Sequence, residues 1–161
     1  MIELRFKDFY DAKYNDKGYE LYVMKNGLSD VLYVGISQVD VWNRWFGYNG
    51  HLVWDGKFVI GQSTVGQKIA NHFPESQNWL IQLWLLDDCI EFCQDIVSAK
   101  NKNYNIKMLE PYMVLKLSPI LNVHFNLNPG TDTTPKSQKE IDREKELDAV
   151  YKMVFEKRKK D

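Results

Sequence analysis

Two short runs rich in β-branched and aromatic residues, Tyr19 to Lys25 (YELYVMK) and Val31 to Ser37 (VLYVGIS), are separated by Asn26-Gly27-Leu28-Ser29-Asp30. Such side chains suit a pleated surface, and a cluster of Asn, Gly, Ser and Asp between them is turn chemistry. The pattern predicts an antiparallel hairpin, which needs further elements packed on it to be stable. Tyr22 and Tyr33 fall in the middle of the two strands, so either can project from one sheet face. Gly35 weakens a strand, which points to a close approach by another backbone or a ligand.

The elements after the hairpin follow from periodicity and punctuation. Val39 to Phe46 has helical spacing, with Asp40 available for its N-terminus. Arg44 lies on this helix, and Tyr48 shares its face if the helix continues past Gly47. Gly47, Gly50, Gly56, Gly61 and Gly66 then mark a loop-rich stretch, and Thr64 to Phe73 predicts a short helix stopped by Pro74. Leu80 to Leu86 reads as a buried strand, with Asp87-Asp88 closing it and opening a helix through Ala99. Asn101 to Asn105 is a polar break. Met108 to Leu117 is helical in character, but proline is tolerated only in a first turn, so Pro111 places the expected start close to Glu110. Residues 1–17 show no clear period and are expected to form an irregular or weakly extended entry.

Asn126 to Pro135 has the composition of a linker. From Ser137 to Lys160 the chain is charged and lacks Gly and Pro. Its apolar Leu147, Val150, Tyr151, Val154 and Phe155 recur at i, i+3, i+4, i+7 and i+8, one narrow stripe on a helix. That stripe can dock on its own domain, the commoner outcome, or pair with a second copy to make a homodimer. The closing Lys157-Arg158-Lys159-Lys160 suits the negative end of a helix dipole and offers a third option, contact with DNA.

Composition narrows the function classes. At 161 residues with 44% hydrophobic content, the chain can bury a core without disulfides. Cys89 and Cys93 are expected to be free thiols, and His51, His72 and His124 are too scattered for a zinc site. No run approaches the roughly 20 apolar residues of a membrane span, and the N-terminus lacks the apolar run of a signal peptide. The chain is therefore read as soluble and cytoplasmic, with no membrane partner. A net charge of −1 argues against a protein that coats DNA, while leaving room for a local basic groove.

Several residues have the chemistry of phosphodiester hydrolysis. A Mg²⁺ ion relieves charge on phosphoryl oxygens and needs few protein ligands, so a single carboxylate such as Glu110 is enough. Arg44 offers permanently charged planar donors to a phosphate. Tyr22 and Tyr33 are candidate bases, provided a nearby cation lowers a phenol pKa from about 10. Each residue also has an ordinary explanation: packing for the tyrosines, a solvated helix face for Arg44, a helix N-terminus for Glu110 and a bridged turn for Asn122. The five tryptophans are expected mostly in the core, with Trp54 the one to watch for exposure.

Taken in order, Tyr22, Tyr33-Val34-Gly35, Arg44, Glu110 and Pro119-Ile120-Leu121-Asn122 resemble the GIY-YIG nuclease family over roughly Tyr19 to Asn122. The sequence departs from the family pattern in three places. Glu20-Leu21 stands where the family has Gly-Ile, an insertion falls near 51–78, and Pro111 adjoins Glu110. The resemblance implies an α/β (α+β) fold with a small three-stranded antiparallel sheet flanked by helices, plus the C-terminal helix. The expected organisation is an N-terminal extension (1–18), the nuclease-like domain (19–125), a linker (126–136) and the charged helix (137–161). The implied activity is a Mg²⁺- or Mn²⁺-dependent DNA endonuclease. Tyr22, Tyr33, Arg44 and Glu110 would be catalytic, assisted by His51 and Tyr48, with Glu110 on the metal and Gly35, Ser37 and Asn122 on the substrate. The alternative is a GIY-YIG-like module that binds nucleic acid or protein without cutting.

Overall fold

The computed structural model describes residues 1–12, 18–55, 57, 59–97 and 103–160. Its fold is α+β. The hairpin forms as expected from β2 (Leu21–Lys25) and β3 (Val31–Ile36), with Asn26 taking both Leu28 N–H and Asp30 N–H on its side-chain oxygen. The buried strand Leu80–Trp84, numbered β6 below, pairs antiparallel with the other side of β2.

The sheet has four strands, one more than expected. Ile2–Arg5 forms β1 on the far edge of β6, and Phe6–Asp11 forms helix α1 directly after it, so the described part of the expected irregular or weakly extended entry is a strand and a helix. The order is β1-β6-β2-β3, antiparallel throughout. Because β2 is central and covered on both faces, Leu21 through Met24 are all buried. Tyr22 and Met24 join Phe6, Phe9, Trp45 and Ile69 on one face. Leu21 and Val23 join Cys89, Leu109, Met113 and Val114 on the other.

On the first face lies α2 (Val41–Phe46), capped by Asp40, whose carboxylate accepts from Asn43 N–H. The glycine-marked stretch is not simply loop. It holds a two-stranded hairpin, β4 (Leu52–Trp54) with β5 (Val59–Gly61), followed by α3 (Thr64–Asn71) and a 3-10 turn at Glu75–Asn78. Trp54 is packed, not exposed, with its ring stacked on Tyr10 at 4.9 Å.

The second face is covered by α4 (Leu86–Phe92) and α5 (Ile106–Leu117). Asp88 accepts from Leu85 N–H and fixes the start of α4. The helix ends at Phe92, short of the expected Ala99, which lies outside the described residues together with Asn101 and Lys102 of the polar break. Cys89 and Cys93 are buried and free, and burial pushes both thiols up, Cys89 to about 12. α5 starts at Ile106, capped by Asn105, not near Glu110, so Pro111 sits inside the helix. The carbonyl deprived of a donor by Pro111 belongs to Lys107, an exposed residue where water can substitute.

After α5 the chain turns at Ser118, in the left-handed region at φ 45°, and runs along the outer edge of β3. Ile120 N–H donates to the Val31 carbonyl at 3.0 Å and Leu121 N–H to that of Leu32 at 2.9 Å. The last helix, α6 (Gln138–Lys160), attaches to the body by its first turn. Glu140 meets Lys68 at 3.0 Å and His72 at 3.1 Å. Beyond that turn its apolar stripe does not dock on the domain: Val150, Tyr151 and Phe155 are all more than half exposed. Among the described residues no helix is long and apolar enough to cross a membrane.

Candidate functional site

Where β3 meets the 121–125 segment, a cleft of about 460 Å³ opens. Tyr33 comes from β3, Arg44 from the last turn of α2, and Glu110 from the middle of α5. His51 and Ser63 come from the segments flanking the β4–β5 hairpin, Asn122 from the segment along β3 after α5, and His124 from the turn that follows it. α2 and α5 pack on opposite faces of the sheet. Because β3 is the edge strand, side chains from both helices reach around it into one space.

Tyr22 and Tyr33 project from the same face as diagonal neighbours across the hairpin, since Tyr22 pairs with Gly35 and Met24 with Tyr33. Their rings stack at 6.2 Å and 29°. Gly35 makes the stack possible: a Cβ there would stand 2.4 Å from the Tyr22 hydroxyl oxygen. The close approach that its position implied is therefore a tyrosine side chain, neither a ligand nor another backbone.

A hydrogen-bonded chain runs from the cleft wall into the core. The Tyr22 hydroxyl is 2.7 Å from His51 Nε2, and His51 Nδ1 is 2.6 Å from Ser63 Oγ. Ser63 also caps α3 by accepting from Gly66 N–H. With both ring nitrogens occupied and the ring buried, His51 loses affinity for a proton. Burial first, and then the Arg44 charge, lower its pKa to about 3. The imidazole is thus neutral across the physiological range.

The two phenols differ. Tyr22 is 1% exposed, and burial, reinforced by Tyr33, raises its pKa well above the ordinary value against the pull of Arg44. Tyr33 is only partly buried and lines the cleft. Burial raises its pKa too, Arg44 lowers it and Glu110 raises it. The Arg44 guanidinium therefore favours both phenolates and disfavours a charged His51.

Glu110 is half-buried. Desolvation lifts its carboxyl above the usual range, and His124 offsets this in part. No ion pair within 4.0 Å joins Glu110 to Arg44 or to any other cation among the described residues. A desolvated carboxylate and a fixed cation thus share a cleft without neutralising each other. Among the described residues no three His, Cys, Asp or Glu side chains converge as a metal-ligand cluster.

Of the residues expected from the sequence, Tyr33, Arg44, His51, Glu110 and Asn122 line the cleft, whereas Tyr22, Gly35, Ser37 and Tyr48 do not. Tyr22 lies one layer behind, and Gly35 is the space its ring occupies. Ser37 is buried and donates to the carbonyl of Val39 at the turn into α2. Tyr48, 96% exposed, points away because Gly47 ends the helix that would have carried it round. Asn122 works on the chain itself: its amide accepts from Val34 N–H at 2.9 Å and donates to Val34 C=O at 2.8 Å, as a neighbouring strand would.

Ser63 and His124 line the cleft without having been singled out. The signal for Ser63 was available, since Ser before a short helix is an N-cap preference. Nothing in the local pattern marks His124, which follows the Pro119-Ile120-Leu121-Asn122 run. Comparison of the chain with protein-family models, with curated proteins and with solved structures finds no match.

Proposed function

We propose that this cleft hydrolyses a phosphodiester, making the protein a metal-dependent DNA endonuclease of the GIY-YIG kind. The observation that carries the reading is that Arg44 and Glu110, from helices on opposite faces of the sheet, line one cleft with Tyr33 between them and do not pair with each other. A solvated surface arginine and an ordinary helix-face glutamate would have no reason to converge.

The donor chemistry suits Mg²⁺ or Mn²⁺. One unpaired carboxylate in an open cleft matches the few protein ligands and several waters that magnesium keeps. Glu110 would hold the ion, and the ion would supply charge relief on the phosphoryl oxygens and on the leaving alkoxide. Arg44 donates to a non-bridging oxygen of the scissile phosphate, where its planar fork fits. Tyr33 is the phenol that meets water from the cleft, so of the two tyrosines it orders the attacking water; to take its proton it needs a further cation in the cleft, since burial raises its pKa despite Arg44. Tyr22 supports the site from behind by fixing the His51 ring, and His51 stays neutral. Asn122 holds the cleft rim to β3.

A second reading, a module that binds nucleic acid without cutting it, is favoured by the burial of Tyr22, which removes one of the two phenols from the substrate. One experiment separates the two. Supercoiled plasmid is incubated with the protein and Mg²⁺ or Mn²⁺. The nuclease reading expects nicking that is lost in Glu110→Ala and Arg44→Ala, and Mn²⁺ binding, read by paramagnetic resonance, that is lost in Glu110→Ala alone. Retarded but intact plasmid would establish the binding module, and equal nicking by both variants would remove the assignment.

A further inference from the structure

We infer that α6 is the dimerisation element of this protein, pairing antiparallel with α6 of a second copy. The observation behind this is an apolar stripe that no described residue buries. Leu147, Val150, Tyr151, Val154 and Phe155 are between 44% and 64% exposed, although they lie on one side of a 23-residue helix. Among the described residues the helix is held over its first two turns, where Glu140 pairs with Lys68 and accepts from Ser137 N–H, Lys139 reaches the Ala70 carbonyl and Glu144 pairs with Lys136. Past Ile141 every described side chain is exposed. An amphipathic helix gains most of its stability by covering its apolar face, so a free helix of about five turns calls for an occupant.

The charge pattern of the helix names that occupant. From Gln138 to Asp148 there are five acidic residues against three basic ones, and from Ala149 to Lys160 five basic against one acidic. The stripe sits close to the middle of the helix, centred on Tyr151. A second copy laid antiparallel about a two-fold axis near Tyr151 therefore covers stripe with stripe and sets each acidic half against a basic half. A parallel copy would stack like on like. One helix thus carries both halves of the complementarity, which is what a self-matching two-fold interface requires.

The register follows from the same axis. Glu144 falls opposite Arg158 of the second copy, each seven residues from Tyr151 and so close to its line along the helix. Among the described residues Glu144 pairs with Lys136, and the two side chains, about 60% exposed, are easily exchanged.

The test is the mass of the full-length chain in solution, by sedimentation equilibrium across a concentration series, with circular dichroism to confirm that each variant is folded. The wild type is expected at twice 19.0 kDa. Val150→Glu combined with Val154→Glu changes two exposed residues and is expected to be a folded monomer. Arg158→Glu weakens the dimer by roughly tenfold, because two symmetry-related contacts turn repulsive, and adding Glu144→Arg restores it. Rescue supports the antiparallel register. The inference is overturned by a folded wild type that stays monomeric, by a dimer that survives the Val150/Val154 double substitution, or by a charge swap that does not rescue. None of these outcomes depends on whether the cleft cuts DNA.

Discussion

The Tyr22 hydroxyl lies 2.7 Å from His51 Nε2, and this contact separates the two tyrosines that the sequence presents as equivalents. Tyr22 faces inward and positions an imidazole, whereas Tyr33, stacked on it, faces the cleft. One strand position decides the difference, because the missing side chain at Gly35 lets the Tyr22 ring lie flat across β3.

Gly35→Ala should destabilise the fold. Its Cβ would stand 2.4 Å from the Tyr22 oxygen and 2.5 Å from Cζ, contacts that force the ring to move. Overpacking of this kind costs about 1–3 kcal/mol. Urea midpoints test it, and the cost of the alanine should largely vanish in a Tyr22→Ala background, since the clash has a single partner.

His51 gives stability a defined pH dependence. Its folded pKa, about 3, lies below the ordinary 6.5, so between these values the unfolded chain takes up a proton that the native protein refuses. The contribution is complete above pH 6.5 and is lost as pH falls towards 3, with a slope of about 1.4 kcal/mol per pH unit at most for one group. Urea midpoints should fall between pH 7 and pH 5, and His51→Gln should flatten that part of the curve. An imidazole that titrates near pH 6.5 in the native protein, read by NMR, would contradict the buried hydrogen-bonded ring.

Asn122→Asp removes the donor that meets the Val34 carbonyl and turns a carboxylate towards it. Losing a part-buried hydrogen bond while leaving an acceptor against an acceptor should cost about 1–3 kcal/mol. Amide exchange would show where the loss falls, with the Leu121 and Val34 N–H groups expected to lose protection first.

Tyr33→Phe and Arg44→Lys separate chemistry from folding. Both side chains border the cleft, so each variant should keep a melting temperature close to wild type. Nicking should fall by about 10²-fold or more in each, since a lost proton acceptor and a lost bidentate phosphate contact both act in the transition state. Full activity in Tyr33→Phe would assign proton transfer to another group.

Much of this architecture is visible in local chemistry. The hairpin, the Asp40 cap, the strand at Leu80 and the α6 helix each follow from residues within one or two turns of each other. What escapes is non-local. β1 is four residues long and owes its existence to β6, nearly eighty positions away, and β4 and β5 are too short for any period to show. Pro111 misplaces the start of α5 because the carbonyl it deprives belongs to an exposed residue, so the usual penalty is softened. In the cleft, Arg44 and Glu110 are singled out from the sequence, and both line it. The burial of Tyr22 is not readable there, because a central strand covered on both faces shows no alternation to say which side opens to substrate.

The run from Ile120 to Asn122 has a further consequence. Outer strands leave unpaired amides and carbonyls that invite another polypeptide to add on, the usual route to uncontrolled association. Here two main-chain donors and one asparagine amide occupy those groups along β3. From Val31 to Val34 the margin of the sheet nearest the cleft is therefore guarded against strand addition, and a molecule approaching there meets side chains instead of bare carbonyls.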